Sequence, residues 1–202
     1  MNKISGNYYK KHKSRNPLVK ILMRRFHNAL FELIEKADPQ NILDIGCGEG
    51  YTLEEINGKF PSLHIEGSDI NAGIVDFARK NIKNIIFKVE TAYDLKRNDN
   101  SFDLVTLLEV LEHLENPDLA IKEAKRVCRE YCIFSVPFEP YWRICNLARM
   151  RYLTNFGNTP DHINHWSKRS LEKLLLKHFK DVSVKTVFPW NFALCRIENH
   201  SM

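Results

Sequence analysis

The sequence predicts an α/β fold, doubly wound, in which a mostly parallel sheet is covered by helices on both faces. Seven short apolar segments have the length of strands, and helical segments alternate with most of them. This alternation is typical of parallel sheets with helices on both sides. Only Pro189-Trp190 separates the last two strand segments, which allows a hairpin and predicts an antiparallel last strand.

Each predicted helix is supported by a start signal or by the spacing of its apolar residues. Pro17 can open the first helix, which should end near Ala37-Asp38-Pro39. Asn71 and Ser167 are expected to cap two others, because their side chains can accept backbone N–H groups. Further helices are predicted over 51–57 and over 117–128, the latter burying Leu119, Ile121, Ala124 and Val127. The predicted strands span 41–45, 63–67, 84–89, 102–108, 131–136, 182–188 and 191–197.

Neither a linker nor a repeat interrupts this series, so residues 1–202 are predicted to form a single domain. Within it we expect four parts, which are an N-terminal helix or lid over 1–38, a core over 40–137, an insertion over 138–166, and a C-terminal helix and hairpin over 167–202.

The composition is that of an ordinary globular protein and predicts a cytoplasmic location. No apolar run approaches the roughly 20 residues that a membrane-spanning helix needs. The five cysteines are odd in number and lie mostly in apolar stretches, which favours reduced core thiols over disulfides. The net charge is +5, with basic clusters over 10–25 and 143–151. A nucleic-acid partner is therefore possible, but two solvated basic faces are the favoured interpretation.

A glycine-rich turn after the first strand indicates a ligand site. The strand over 41–45 runs into Gly46-Cys47-Gly48-Glu49-Gly50, and a helix follows. Glycines there let the backbone bend sharply and approach a ligand, and ligands of open α/β sheets bind beyond the carboxyl ends of the strands. Asp69 follows the second strand, where a carboxylate can accept hydrogen bonds from both hydroxyls of a ribose. The alternative is that Asp69 serves only the turn or cap before Asn71.

The residues around this turn favour S-adenosylmethionine (SAM) over a dinucleotide. The turn has the pattern Gly-x-Gly-x-Gly and not the Gly-x-Gly-x-x-Gly of dinucleotide-binding proteins. Asp44 immediately precedes it, and a carboxylate at this position suits the ammonium group of an amino-acid ligand but not a pyrophosphate. We therefore expect SAM as the bound nucleotide.

Four motifs in this order resemble those of the class I SAM-dependent methyltransferases, and most closely those of the ubiquinone pathway. They are Leu-Asp-Ile-Gly-Cys-Gly-Glu-Gly over 43–50, Gly-Ser-Asp over 67–69, Ser-Phe-Asp-Leu-Val over 101–105 and Glu-Val-Leu-Glu-His-Leu over 109–114. The resemblance covers residues 40–137. It implies a Rossmann-like fold, with a seven-stranded sheet and an antiparallel last strand, and an enzyme that uses SAM as its methyl donor.

The resemblance also implies roles for individual residues of the core. Asp44, Gly46, Cys47 and Gly48 would hold the methionine part of SAM, and Asp69 its ribose. Ile70, Thr91 and Ala92 would surround the adenine, and Glu109 would line the site. Relatives usually have an aspartate where this chain has Thr91, so Glu90 is a candidate for recognising the adenine amino group.

Candidates for the chemistry follow the fourth strand and recur further along the chain. If the acceptor is a hydroxyl or an acidic carbon, a base must remove a proton, and His113 and His162 are the candidate catalytic residues. The motif also resembles that of metal-assisted small-RNA methyltransferases, so Glu109, Glu112, His113 and His162 are candidate metal ligands. A divalent metal is possible but not expected. In the alternative interpretation, Glu112 and His113 merely begin the next helix.

The acceptor is the part of the function on which the sequence is least specific. The insertion over 138–166 is rich in aromatic and basic residues and follows the fifth strand, where an acceptor should lie. It is either a substrate lid or a helix that covers the sheet. We expect a small-molecule acceptor methylated at oxygen or carbon. The competing hypotheses are an RNA or protein methyltransferase, or a SAM-binding protein without catalysis, and the oligomeric state is left open.

Overall fold

The protein has the predicted doubly wound α/β architecture in a computed structural model that describes residues 16–139, 141 and 162–198. Its helices are α1 (Pro17–Ala37), α2 (Tyr51–Lys59), α3 (Ala72–Asn81), α4 (Pro117–Val127) and α5 (Lys168–Leu175), with a 3-10 helix over Leu111–His113. Its strands are β1 (Asn41–Ile45), β2 (His64–Asp69), β3 (Ile86–Val89), β4 (Phe102–Leu108), β5 (Cys128–Pro137), β6 (Asp181–Val187) and β7 (Trp190–Arg196).

The seven strands form one sheet in the order β3-β2-β1-β4-β5-β7-β6. The first five are parallel to one another, whereas β7 runs antiparallel to both β5 and β6. The predicted seven-stranded sheet with an antiparallel last strand is therefore confirmed. Because β6 and β7 form a hairpin, the turn between them lies at the same edge as the carboxyl ends of β1 to β5.

Alternate residues along the strands face two separate cores. One core lies under α4 and α5 and includes Leu43, Ile45, Val105 and Leu107 of the central strands. The other lies under α1, α2 and α3 and includes Ile42 and Leu104. Because side chains of a strand alternate between its two faces, continuous apolar strands such as β4 supply both cores.

Several element boundaries differ from the sequence prediction. β5 begins at Cys128, three residues early, and α4 ends at Val127. The added residues Arg129 and Glu130 are exposed, so they lack the apolar pattern of a buried strand. The β6–β7 connection is Phe188-Pro189, not Pro189-Trp190, because Trp190 already pairs with Val187.

One apolar residue that the sequence predicts to be buried is exposed instead. Leu119 is 47% exposed, because the buried face of α4 is formed by Ala120, Ile121, Ala124 and Val127. At 100° per residue Leu119 points away from that face. In α1, Phe26, Leu30 and Ile34 are buried, whereas Leu18 and Ile21 in the first turns are exposed.

Parts of the predicted insertion and of the N-terminal lid lie outside the described residues. So do Cys145, the basic cluster over 143–151 and the start of the one over 10–25. Among the helices that the structure describes, none combines the length and the apolar character that crossing a membrane would require.

Candidate functional site

The glycine turn after β1 has a backbone that other residues could not easily adopt. Gly46, Gly48 and Gly50 all have positive φ angles, of 78°, 54° and 81°. A Cβ atom on Gly46 would lie 2.5 Å from Val110 Cγ2, whereas one on Gly48 would meet nothing within 4 Å. Gly46 is therefore required by packing, and Gly48 leaves an open space beside the turn.

The turn is attached to the end of β2 by hydrogen bonds. The backbone N–H groups of Gly46 and Cys47 donate to the Ser68 carbonyl oxygen at 2.7 and 2.9 Å. The Asp69 carboxylate accepts from Gly48 N at 3.0 Å and from Asn71 N at 2.9 Å. Each carboxylate oxygen thus has one backbone donor and retains lone pairs for a further donor such as a ribose hydroxyl.

Asp69 does not cap α3, because Asn71 does so. The Asn71 side chain accepts from Gly73 N and Ile74 N. Ile70, between them, is 64% exposed, so its side chain can cover a planar ring. The carboxylate of Asp69 is therefore built into the ligand turn as well as into the loop before α3.

Asp44 is an almost completely buried carboxyl group at the end of β1. Its Oδ1 accepts a hydrogen bond from the Thr106 hydroxyl of β4 at 2.6 Å. Burial raises the pKa of Asp44 to about 7, and the charge of Asp69 adds to this, while the Thr106 hydrogen bond opposes it. A cation bound beside Asp44 would favour its ionised form. The Thr106 contact is not predicted by any motif.

A small cavity connects Asp44 to the surface between the turn and the end of β4. Its lining residues are Asp44, Gly46, Cys47, Glu49, Gly50, Tyr51, Thr52 and Leu108. The Cys47 side chain is buried, with its Sγ 2.9 Å from where a Cβ of Gly67 would stand. Burial raises the pKa of this thiol well above its usual value. Only the backbone of Cys47 is therefore suited to ligand binding.

The loop after β3 holds the residues assigned to the adenine. Thr91 and Asp94 form a tight bridge, and the Thr91 hydroxyl accepts from Tyr93 N at 3.4 Å. The Glu90 carboxylate is buried and accepts from Arg97 Nε at 3.0 Å, and Arg97 also binds Glu66. The Glu90 side chain is only 5% exposed, whereas Thr91 and Ala92 lie in the loop beyond it.

Glu109, directly after β4, has a carboxylate that is held by two side-chain hydrogen bonds. Its backbone is left-handed, with φ 60°. Its carboxylate accepts from Ser135 Oγ at 3.3 Å and from Trp190 Nε1 at 2.9 Å. Trp190 in turn packs edge-on against Phe26 of α1, with ring centroids 5.0 Å apart. The motif over 109–114 predicts Glu109, but no motif indicates Ser135 or Trp190, which only the sheet order brings beside it.

Glu112, His113 and His162 come together although 48 residues separate the two histidines in the chain. One ligand atom from each of the three lies within 4.8 Å of the others, and the imidazole rings cross at 82° with centroids 4.9 Å apart. Glu112 and His162 are buried and His113 is exposed. Glu109 is not part of this group. Glu112 and His113 form the 3-10 helix and do not begin α4.

Backbone hydrogen bonds hold His162 in this position. The N–H groups of Ile163 and Asn164 donate to the Glu112 carbonyl oxygen at 2.9 and 3.1 Å. The Asn164 side chain donates to the carbonyl oxygens of Leu111 and Leu114. The segment after His162 is therefore attached to the 3-10 helix, which keeps the two imidazoles together.

Comparison with known proteins shows the family of the chain. The sequence profile described as a methyltransferase domain matches residues 16–179. The chain is 28% identical over 105 residues to a demethylmenaquinone methyltransferase of Thermotoga maritima, covering 52% of this chain and 46% of that protein. It is 27% identical over 110 residues to a malonyl-[acyl-carrier protein] O-methyltransferase of Hahella chejuensis, covering 54% and 39%. The chain thus spans less than half of these relatives' length.

A solved structure extends the similarity to the whole fold. The plantazolicin methyltransferase BpumL, crystallised with a pentazolic analogue and S-adenosylhomocysteine (SAH), superimposes with a TM-score of 0.72. It is 16% identical, and the match covers 95% of this chain and 89% of that one. The chain therefore belongs to the methyltransferase domain family, and its expected place among the class I SAM-dependent methyltransferases is confirmed.

Proposed function

We propose that the chain transfers a methyl group from SAM to a small-molecule acceptor at oxygen or carbon. The observation that carries the proposal is the joining of Asp44, the glycine turn and Asp69 at one edge of the sheet. Bound SAM would supply an electrophilic methyl group on a sulfonium, which is displaced in line by the acceptor. The chain's own task is then to orient both reactants and to exclude water.

The described contacts support the donor half of the proposed site. Asp44 would bind the ammonium group of SAM, and the backbone of Gly46, Cys47 and Gly48 would surround its methionine part. Asp69 would accept the ribose hydroxyls with its remaining lone pairs. The open space beside Gly48 supports this placement, because a ligand can approach the backbone there.

The rest of the site would hold the adenine and the acceptor. Ile70, Thr91 and Ala92 would enclose the adenine, and Glu109 would border the methyl group. His113 or His162 would remove the acceptor proton, with the exposed His113 better placed to meet an incoming molecule. Glu112, buried beside both, would orient the imidazoles.

Calorimetric titration with SAM and SAH tests the donor site directly. We expect micromolar or tighter binding of both. Asp69→Ala should weaken it at least about tenfold, since hydrogen bonds to a charged group are worth about 1.5–3 kcal/mol. Asp76→Ala is the matched control, because Asp76 is an exposed aspartate of α3 that contacts only Arg79 among the described ion pairs. If neither nucleotide binds at micromolar concentrations, the proposed function is wrong.

A metal-assisted reaction is the second candidate, favoured by the close group of Glu112, His113 and His162. One carboxylate and two imidazoles suit zinc, manganese or iron better than magnesium, which prefers oxygen ligands. A bound ion would lower the pKa of an acceptor hydroxyl. Titration of the wild-type protein and His162→Ala with zinc and with magnesium separates the candidates. Zinc binding that His162→Ala abolishes supports the metal, and no binding of either ion rules out zinc and magnesium at this group.

Methylation of a macromolecule and SAM binding without catalysis would each behave differently from the proposed reaction. An RNA or protein methyltransferase would transfer radioactive methyl groups from SAM to RNA or to protein extracts in preference to small molecules. A SAM-binding protein without catalysis would bind SAM but transfer no methyl group to any acceptor. We also propose a cytoplasmic location, supported by four free and buried cysteines among the described residues, which fit a reducing compartment.

A further inference from the structure

We propose that Glu49 is a second carboxylate of the donor site, which accepts a hydrogen bond from the ammonium group of bound SAM. Glu49 would thereby make the site selective for ligands that carry an α-amino group. The inference rests on the proposed function, since it adds a residue to the site in which Asp44 would bind the same ammonium group. Glu49 occupies the second x position of the Gly-x-Gly-x-Gly turn, to which the motif itself assigns no role.

Glu49 has a carboxylate oxygen that is buried without a hydrogen-bond donor. Its Oε2 is almost inaccessible to solvent and, within the described part of the chain, accepts no hydrogen bond. The residue as a whole is only partly buried. A buried carboxylate oxygen without a donor costs stability, so such an atom in a folded protein needs an explanation. A ligand that donates a hydrogen bond to this oxygen provides one.

The local structure gives the Glu49 carboxylate no part in holding the turn or the following helix. Gly50 is the N-cap of α2, and no side chain of the described residues caps this helix. The turn is attached to β2 by backbone hydrogen bonds to Ser68 and by the Asp69 carboxylate. The described contacts that hold the turn are therefore made without the Glu49 side chain.

Glu49 shares with Asp44 the cavity in which the ammonium group is expected. Both residues line the small cavity between the turn and the end of β4, and none of the eight described residues that line it is basic. Burial raises the pKa of the Cys47 thiol, and the charges of Asp44, Asp69 and Glu49 raise it further. Asp44 and Glu49 thus lie near the same thiol. An ammonium group has three N–H donors, which are enough for both carboxylates.

Calorimetry with three ligands tests the inference on the full chain. The ligands are SAM, SAH and deaminated SAH, in which a hydrogen atom replaces the α-amino group. Glu49→Gln keeps the shape of the side chain but removes its charge. It should weaken the binding of SAM and of SAH at least about tenfold, because hydrogen bonds between charged groups are the strong ones. It should not weaken the binding of deaminated SAH, which has no ammonium group to donate.

Glu54→Gln is the matched control, because Glu54 is an exposed glutamate in the first turn of α2. This variant removes the same charge close to the same turn, and it should bind all three ligands like the wild-type protein. Glu49→Gln should unfold in urea at an unchanged or higher midpoint, because Oε2 has no donor among the described residues to lose.

The inference is wrong if Glu49→Gln binds SAH like the control variant, or if it weakens SAH and deaminated SAH equally. It is also wrong if Glu49→Gln weakens SAM alone, since the carboxylate would then act on the sulfonium. A lower urea midpoint would show a structural role and would contradict the inference as well. If the wild-type protein binds neither SAM nor SAH at micromolar concentrations, the error lies in the proposed function itself.

Discussion

Replacing Thr106 with valine removes the hydroxyl that donates to Asp44 at 2.6 Å, and it should shift the pH dependence of SAM binding. The pKa of Asp44 in the ligand-free protein is about 7, raised chiefly by burial. Binding the ammonium group of SAM requires the carboxylate, so the ligand must displace a proton at lower pH. The protein should therefore bind SAM less tightly as the pH falls below 7.

The size of this effect follows from the fraction of Asp44 that is ionised. That fraction is about one half at pH 7 and about one tenth at pH 6, so affinity should fall about fivefold between these values and about tenfold per unit below. A hydrogen bond to a charged group is worth about 1.5–3 kcal/mol. Thr106→Val should therefore raise the pKa of Asp44 by at least about one unit and weaken SAM binding at pH 6 about tenfold.

Calorimetry in buffers of different ionisation enthalpy counts the protons released on binding. At pH 6, where the SAM amino group is fully protonated, the wild-type protein should release about 0.9 proton, and Asp44→Asn should release none. Thr106→Ser keeps the hydroxyl and should retain the wild-type pH dependence. The reasoning fails if the wild-type protein releases no proton at pH 6, or if Thr106→Val binds SAM like the wild type throughout pH 5–7.

Three further changes test other parts of the structure. Asp44→Asn should raise the free energy of unfolding of the ligand-free protein at pH 8, by up to about 4 kcal/mol, but not at pH 4. The reason is that the folded-state pKa of Asp44, about 7, exceeds its unfolded value of 3.8, so ionisation of Asp44 above pH 4 opposes folding. If denaturant titrations show the same change in unfolding free energy at pH 4 and pH 8, this reasoning is contradicted. Gly48→Ala should abolish micromolar SAM binding, because the added Cβ would enter the open space beside the turn. It should cost only about 1–2 kcal/mol of stability, which is the cost of a left-handed backbone for alanine. The control is Gly58→Ala in α2, where a Cβ also meets nothing within 4 Å, and this variant should bind SAM normally. Trp190→Phe should lower the unfolding free energy by about 1.5–3 kcal/mol in urea, because the Glu109 carboxylate loses its donor at 2.9 Å; an unchanged midpoint would show that this bond contributes nothing.

The parts of the site that can be predicted from the sequence are those that depend only on residues close together in the chain. The glycines after β1 and Asp69 after β2 could be assigned a common ligand because parallel strands end at the same edge of the sheet. Asn71 and Ser167 could be assigned as caps because capping depends on neighbours two or three residues away. Such local requirements are visible in a single sequence.

The supporting contacts could not be predicted because they join residues far apart in the chain. Thr106 lies 62 residues from Asp44, and Trp190 lies 81 residues from Glu109. The sequence carries one weak signal for the first pair, since Thr106 is the only polar residue in the otherwise apolar stretch Leu104–Leu108. For the second pair there is none, because the register of β7 against β5 decides where Trp190 lies.

The contact of Phe26 with Trp190 has a consequence for how relatives of this chain are recognised. The four motifs of the resemblance lie over 43–114, whereas the Phe26 ring that packs against Trp190 belongs to α1. A protein cut before β1 would keep all four motifs and lose the ring behind the donor of the Glu109 carboxylate. The four motifs alone therefore do not report whether the side chain of Glu109 is supported in this way.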